Sequence, residues 1–401
     1  MNYIKTALIT LLFVFSGYTT WNYYHYFFDT AEPTIMLKGL IDQHYYAGDV
    51  QCTLEGKDSY KVAECSVWLD EKPLISKLRI GKKNFEHPLT FATKHLAHGA
   101  HSLKAEVVSG TYNQAKKTIT CEFLVDNEPL RAAFVRPQTE SKVFQGRTLH
   151  LQFQANKPLK TAFVKTLDDN FICFPESKNS LVYECFIPIA CEESPTEHPF
   201  TIEAQDNVGN SSKLESKFQV VAFQFKKSIL KVDYEQFKKE KELGLSNAEL
   251  ERELEILVQK SPQEKLWHGS FYPPIEIQTI TTEFGTIRTT QEKGRYTHKA
   301  IDVISSPKSV VWATQGGRVI VKNRYAESGN TIVIDHGYGV FSLFYHLDEF
   351  AENIAVGSVV KRGNPIGTLG KTGYASGYHL HWEMRINNVA IDPLQWTNQY
   401  F

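Results

Sequence analysis

Chemistry is first legible in the last third of this 401-residue chain, in the spacing of histidines and carboxylates. In His379-Leu380-His381-Trp382-Glu383, strand alternation sets His379, His381 and Glu383 on one side and Leu380 and Trp382 on the other. Two adjacent imidazoles repel if both are charged, and a metal or a shared substrate oxygen removes that conflict. The pair therefore reads either as a metal signal or as a half-exposed polar pair on a sheet face. In His298-Lys299-Ala300-Ile301-Asp302, the run AIDVI followed by Ser-Ser-Pro reads as a short strand leaving a loop, and on a strand the even spacing of His298 and Asp302 also aims both side chains to one face. Alone it is weak evidence, because histidine and aspartate are common loop residues that bond each other. Tyr345-His346-Leu347 ends the run GVFSLFYHL, where His346 taken alone reads as a core or rim histidine, and His336, in Asp335-His336-Gly337, sits at a turn and reads as structural. Glu383 either steers a ligand from behind or lies at the surface.

These residues need elements to bring them together. From Trp267 onward, short apolar strands (RVIVKN, NTIVIDHG, GVFSLFYHL, LHWEMRI) are separated by G-G, S-G-N, G-Y-G and R-G-N turns. That pattern predicts a compact, mostly antiparallel β domain over residues 266–401. The stretch GKTGYASG before His379 is too glycine-rich for a core strand and predicts one wall of an open groove. It lacks the spacing of a Walker loop, and no His-Glu-x-x-His helix is present to supply a glutamate base.

Together these motifs make the region recognisable. Residues 267–401 resemble the lysostaphin/LytM-type zinc endopeptidases along the whole stretch, through WHGSFYPP, ITTEFGTIR, HKAID, GNTIVIDHGYGVFSLFYHL, GKTGYASGYHLHWEM and DPLQW. The resemblance implies one zinc ion per chain held by His298, Asp302 and His381, with His346 and His379 as catalytic histidines that are not ligands. It also implies stem or cross-bridge peptides of bacterial peptidoglycan as substrate. Where the family usually has glycine in the third place of His-x-Gly-x-Asp, this chain has Ala300. Three protein ligands leave a tetrahedral zinc one open position, the arrangement of a catalytic site, and bound water then loses its proton near pH 7. Imidazoles titrate in the range needed to take that proton and to donate to the developing oxyanion. Which histidine does which stays open. The alternative is a catalytically silent wall-binding or hydrolase-activating protein on the same fold; such relatives typically lack ligands, and this chain keeps all five residues.

The remainder reads as a carrier. A net charge of −1 gives no electrostatic footprint for nucleic acid, and the 42% apolar and 22% charged content is that of a globular protein. Residues 1–32 hold the uncharged stretch Thr6–Phe28, after Lys5 and before Asp29 and Glu32. It reads as an uncleaved inner-membrane anchor with an aromatic belt from Trp21 to Phe28, or alternatively as a cleaved signal segment. Either places the rest in the periplasmic or extracytoplasmic part of the cell envelope. Alternating strands then repeat at one offset. Leu103, Ala105 and Val107 match Phe200, Ile202 and Ala204, and the turn at Tyr112-Asn113 matches Gly209-Asn210. Two immunoglobulin-like β-sandwich modules, residues 33–127 and 128–224, account for this repeat. All six cysteines fall in these modules; Cys52/Cys65 and Cys173/Cys185 can each close a short loop, but sequence does not choose a pairing. Residues 225–265 read as a helical linker. Asp233 caps a helix that Gly244 stops, and Ser246 with Glu249 forms a capping box for a second helix carrying Leu250, Leu254, Leu257 and Val258. This segment is either a helical hairpin packed on a neighbouring domain or a cover over the site. The number of subunits is not legible.

Overall fold

A computed structural model describes residues 2–136, 141–229, 234–290 and 294–399. The chain is mostly β, and two compact units emerge, residues 1–129 with 207–210, and 130–206 with 211–401.

In the first unit, α1 (Asn2–Phe28) precedes the β region. Thr19 and Thr20 donate their hydroxyls back to the carbonyls of Phe15 and Ser16, and Asn22 donates to Tyr18. These polar residues interrupt the apolar run. Among the described residues no helix is long and apolar enough to cross a membrane, which leaves the anchor expectation unsupported. The following strands form a single six-stranded sheet, which does not confirm the immunoglobulin-like detail of the expectation. The cause is one 21-residue strand, Asp49–Leu69, whose first half pairs Thr34–Lys38 and whose second half pairs Gly99–Ser109. Register shifts between Lys57 and Val62 separate the two halves, so one sheet encloses the core of Leu54, Val67, Leu103 and Phe123. Cys52 and Cys65 lie on this same strand, and all six cysteines are free thiols.

The second unit opens with a true two-sheet arrangement. A five-stranded and a four-stranded sheet face each other across Leu151, Phe153, Val164, Ile202 and Phe218. The predicted alternation Phe200, Ile202, Ala204 is its buried face. This sandwich does not end where the C-terminal region begins. Phe174 stacks on Tyr338, and Phe186 packs against Trp267 and Trp396, inside the main core of the C-terminal sheet. Thr148 exchanges backbone hydrogen bonds with the Gln395 amide, and Lys265 pairs with buried Glu184 at 2.8 Å.

The linker contains α2 (Tyr234–Leu243) and α3 (Asn247–Val258), on either side of Gly244; the expected cap Asp233 lies outside the described residues. The capping box is present, with Ser246 and Glu249 bonding reciprocally. Leu250 and Leu254, one turn apart, are buried against Val333, Phe341, Leu343 and Tyr345 of the C-terminal sheet. The helix is thus packed on that domain. The domain itself is a ten-stranded sheet with antiparallel pairings, closed at the C-terminus by the short α4 (Pro393–Asn398), which Asp392 caps.

Candidate metal centre

Three neighbouring strands carry the site. Ile301–Ile304 pairs with Leu380–Ile386, opposing Asp302 to His381, and Val340–Phe350 lies on the other side, opposing Tyr345 to His381. The register follows from the apolar face. Ile301 and Val303, Leu380 and Trp382, and Phe344 all enter the main core, so their alternate neighbours face the opposite way. His298 is not on a strand as expected, but in the loop before Ile301. Ala300 has no positive φ and is fully buried, so the backbone takes no conformation there that glycine alone could adopt.

The geometry is tight. His298 Nε2 lies 3.0 Å from Asp302 Oδ1, His381 Nδ1 lies 3.0 Å from the same oxygen, and the two nitrogens are 3.1 Å apart. Ligands about 2.0–2.1 Å from a tetrahedral zinc sit roughly 3.3 Å from one another, so a cation fits between these three atoms. The donor set asks for one. Asp302 only accepts, and if both imidazoles donate to it, two N–H groups oppose each other at 3.1 Å. Among the described residues these three form the metal-competent group. Burial disfavours charge on Asp302, yet hydrogen bonds from His298 and His381 hold its carboxyl well below the usual range. Burial lowers His298, overriding Asp302. The second oxygen of Asp302 accepts from Arg288 at 2.6 Å.

His346 and His379 stand beside this cluster, with ring centroids 4.6 Å apart. His379 Nε2 is 4.0 Å from Asp302 Oδ1. Both rings are oriented from behind: His346 Nδ1 donates to the Thr372 carbonyl at 2.8 Å, and His379 Nδ1 to the Gly377 carbonyl at 3.0 Å. In the neutral ring this leaves the lone pair of each on Nε2. Burial, with His379 and His381 adjacent, pushes His346 down to about 3. Its φ of +62° is strained for a side-chain-bearing residue and turns the ring out of the strand's regular alternation. The Thr372 carbonyl is set by close backbone approach: a Cβ on Gly329, at φ +64°, would lie 2.3 Å from it. The glycine-rich loop thus does serve the site.

His336 is elsewhere. It is fully buried, donates to the Gly316 carbonyl, accepts from Ser342 and packs edge-on to Phe271.

Residues 296–393 match the family model Peptidase family M23. This stretch is an M23 peptidase domain. The chain is 32% identical over 117 residues to the peptidoglycan DD-endopeptidase ShyB of Vibrio cholerae, covering 29% of this chain and 27% of that protein. It is 37% identical over 97 residues to the DD-carboxypeptidase/endopeptidase Mpg of Neisseria meningitidis, covering 24% and 22%. The alignments thus span about a quarter of those relatives' length. A putative peptidase M23 from Pseudomonas aeruginosa aligns in structure over 63% of this chain and 94% of its own, at 19% identity and a TM-score of 0.43.

Four participants were not singled out in the sequence. Arg288 holds Asp302, and Tyr345 lies parallel to the His381 ring at 4.8 Å. Arg385 continues the row His379, His381, Glu383 by two more positions, a signal the alternation already contained. Glu251 of α3 is its partner, and nothing in the local sequence announces that pairing.

Proposed function

We propose that this chain is a zinc-dependent endopeptidase that hydrolyses peptide bonds of bacterial peptidoglycan, acting on the wall side of the envelope. The observation that carries the reading is the mutual 3.0–3.1 Å spacing of His298, Asp302 and His381 next to two histidines with free Nε2 atoms. The M23 match and the relatives' printed activities support the substrate class.

His298 Nε2, Asp302 Oδ1 and His381 Nδ1 would hold the ion. When bound, zinc supplies Lewis acidity and makes a water-derived nucleophile accessible near neutral pH. The side chains manage the protons. Peptide hydrolysis requires that one proton leave the attacking water and one reach the departing amine. The Nε2 atoms of His379 and His346 would accept and return protons, since their Nδ1 atoms are committed to carbonyls. His346 enters the cycle unprotonated at neutral pH because it is buried. Arg288 holds the second oxygen of Asp302 and so keeps the first aimed at the centre.

The test is digestion of purified wall peptides by the full chain, with products identified by mass spectrometry. New amine termini are expected from wild type. His379→Ala should keep its zinc while kcat falls about 10²-fold or more, the usual consequence of losing a general base. A zinc-loaded wild-type chain that binds wall material and releases no new termini would defeat the proposal and leave a binding module.

A further inference from the structure

Two sets of polar contacts from the helix α3 to the M23 domain, those of Glu251 and of Asn247, lead to site histidines. Glu251 grips Arg385 with both oxygens, at 2.6 and 2.8 Å. Arg385 is almost wholly buried and passes its Nε to Glu383 at 2.6 Å. Glu383 in turn lies 3.7 Å from His381 Nε2, an ion-pair distance, on the ring nitrogen opposite the one facing Asp302. One turn earlier on α3, Asn247 Oδ1 accepts from the backbone N–H groups of Glu327 and Ser328, and the Ser328 carbonyl accepts from His346 N–H at 2.8 Å. Between these arms, Leu250 and Leu254 pack in one cluster with Tyr345, whose ring lies parallel to that of His381.

We infer that α3 is a working part of the catalytic centre, and that Glu251 is a positioning residue for His381, acting through Arg385 and Glu383. The physical reason is the second ring nitrogen. A metal-ligating histidine is fixed in tautomer and orientation by the partner its other N–H finds. His298 Nδ1 is buried with no hydrogen-bond partner among the described residues. His381 is therefore the ligand whose orientation an outer carboxylate controls. Glu383 alone is free to swing toward its neighbour Arg385; Glu251 anchors that guanidinium from the far side in a fixed bidentate fork. The segment read from sequence as a hairpin packed on a neighbouring domain or as a cover is a brace behind the site.

This inference rests on the metal reading, and its test needs no wall substrate. Zinc affinity of the full chain is measured by competition with a chelator of known strength, for wild type, Glu251→Ala and Glu253→Ala. Glu253 sits on the same helix but accepts from the Tyr325 hydroxyl, away from Arg385. Loss of an outer partner typically weakens binding 10–100-fold; removing Glu251, one link further out, should raise Kd about 10-fold. Glu253→Ala should leave Kd unchanged. Glu251→Gln, which keeps an acceptor for Arg385 and preserves packing, should lie between wild type and Glu251→Ala. With wall peptides, Glu251→Ala should lower kcat and leave KM unmoved. A Glu251→Ala Kd within twofold of wild type, or an equal loss in Glu253→Ala, overturns the inference and leaves the peptidase reading intact. A wild-type chain that takes up no zinc overturns both, whereas normal zinc shifts without wall digestion sink the peptidase reading alone.

Discussion

On one face of the strand Leu380–Ile386, Leu380, Trp382, Met384 and Ile386 are fully buried among apolar neighbours. On the other, His379, His381, Glu383 and Arg385 form a row of ionisable groups, each tied to a named partner. The apolar face works by area removed from water, which is non-directional and forgiving of shape as long as volume is kept. The polar face works by pairs: a buried charge is tolerable only when opposed, and removing one member strands the other. One strand thus carries fold stability and chemistry on separate sides, and the two should fail separately under mutation.

The largest separation is expected from His381→Ala. Bound zinc, read by elemental analysis, and wall digestion should both vanish, while the circular dichroism spectrum stays that of wild type. Activity persisting in a metal-free sample would break the comparison at its polar side. Next, Trp382→Ala, one residue away on the other face, should cost about 3–5 kcal/mol in urea unfolding, the usual range for a large buried aromatic. Zinc per folded molecule should be unchanged; loss of metal without loss of stability would show that the faces are not independent.

The smallest effect concerns a histidine on the apolar side. Burial pushes His336 down to about 4, and its hydrogen bonds suit the neutral ring. The unfolded chain binds that proton near pH 6.5, so the stability tied to neutral His336 is full above 6.5 and is lost as pH falls through 4. Unfolding free energies between pH 7 and pH 4 should drop by up to about 3 kcal/mol more in wild type than in His336→Gln. Equal slopes would mean that His336 titrates as freely as an exposed imidazole.

What was legible in the sequence follows the range of each signal. Alternation has a period of two residues, so His379, His381 and Glu383 were assigned one face from five letters, and the capping box at Ser246 from four. The five site residues came from motif resemblance, and the strands bring them into one cluster. Arg288 and Glu251 escaped because their partners are reached only through sheet pairing and helix docking, which no local pattern specifies. His298 was misplaced onto a strand because even spacing alone does not distinguish a strand from the loop feeding it. In the first module the alternation was legible, whereas the register shifts that fold one long strand over a single core leave no trace in hydropathy.

The aromatic seam between Phe174, Phe186 and the tryptophans at 267 and 396 bears on how the molecule can be cut and recombined. Severing the chain in the linker of residues 225–265 would strip a hydrophobic wound across the M23 domain, inviting self-association in place of a tidy fragment. The smallest portable piece therefore starts near Leu130. Anyone grafting the M23 domain onto a new targeting arm would have to carry the sandwich along as its handle.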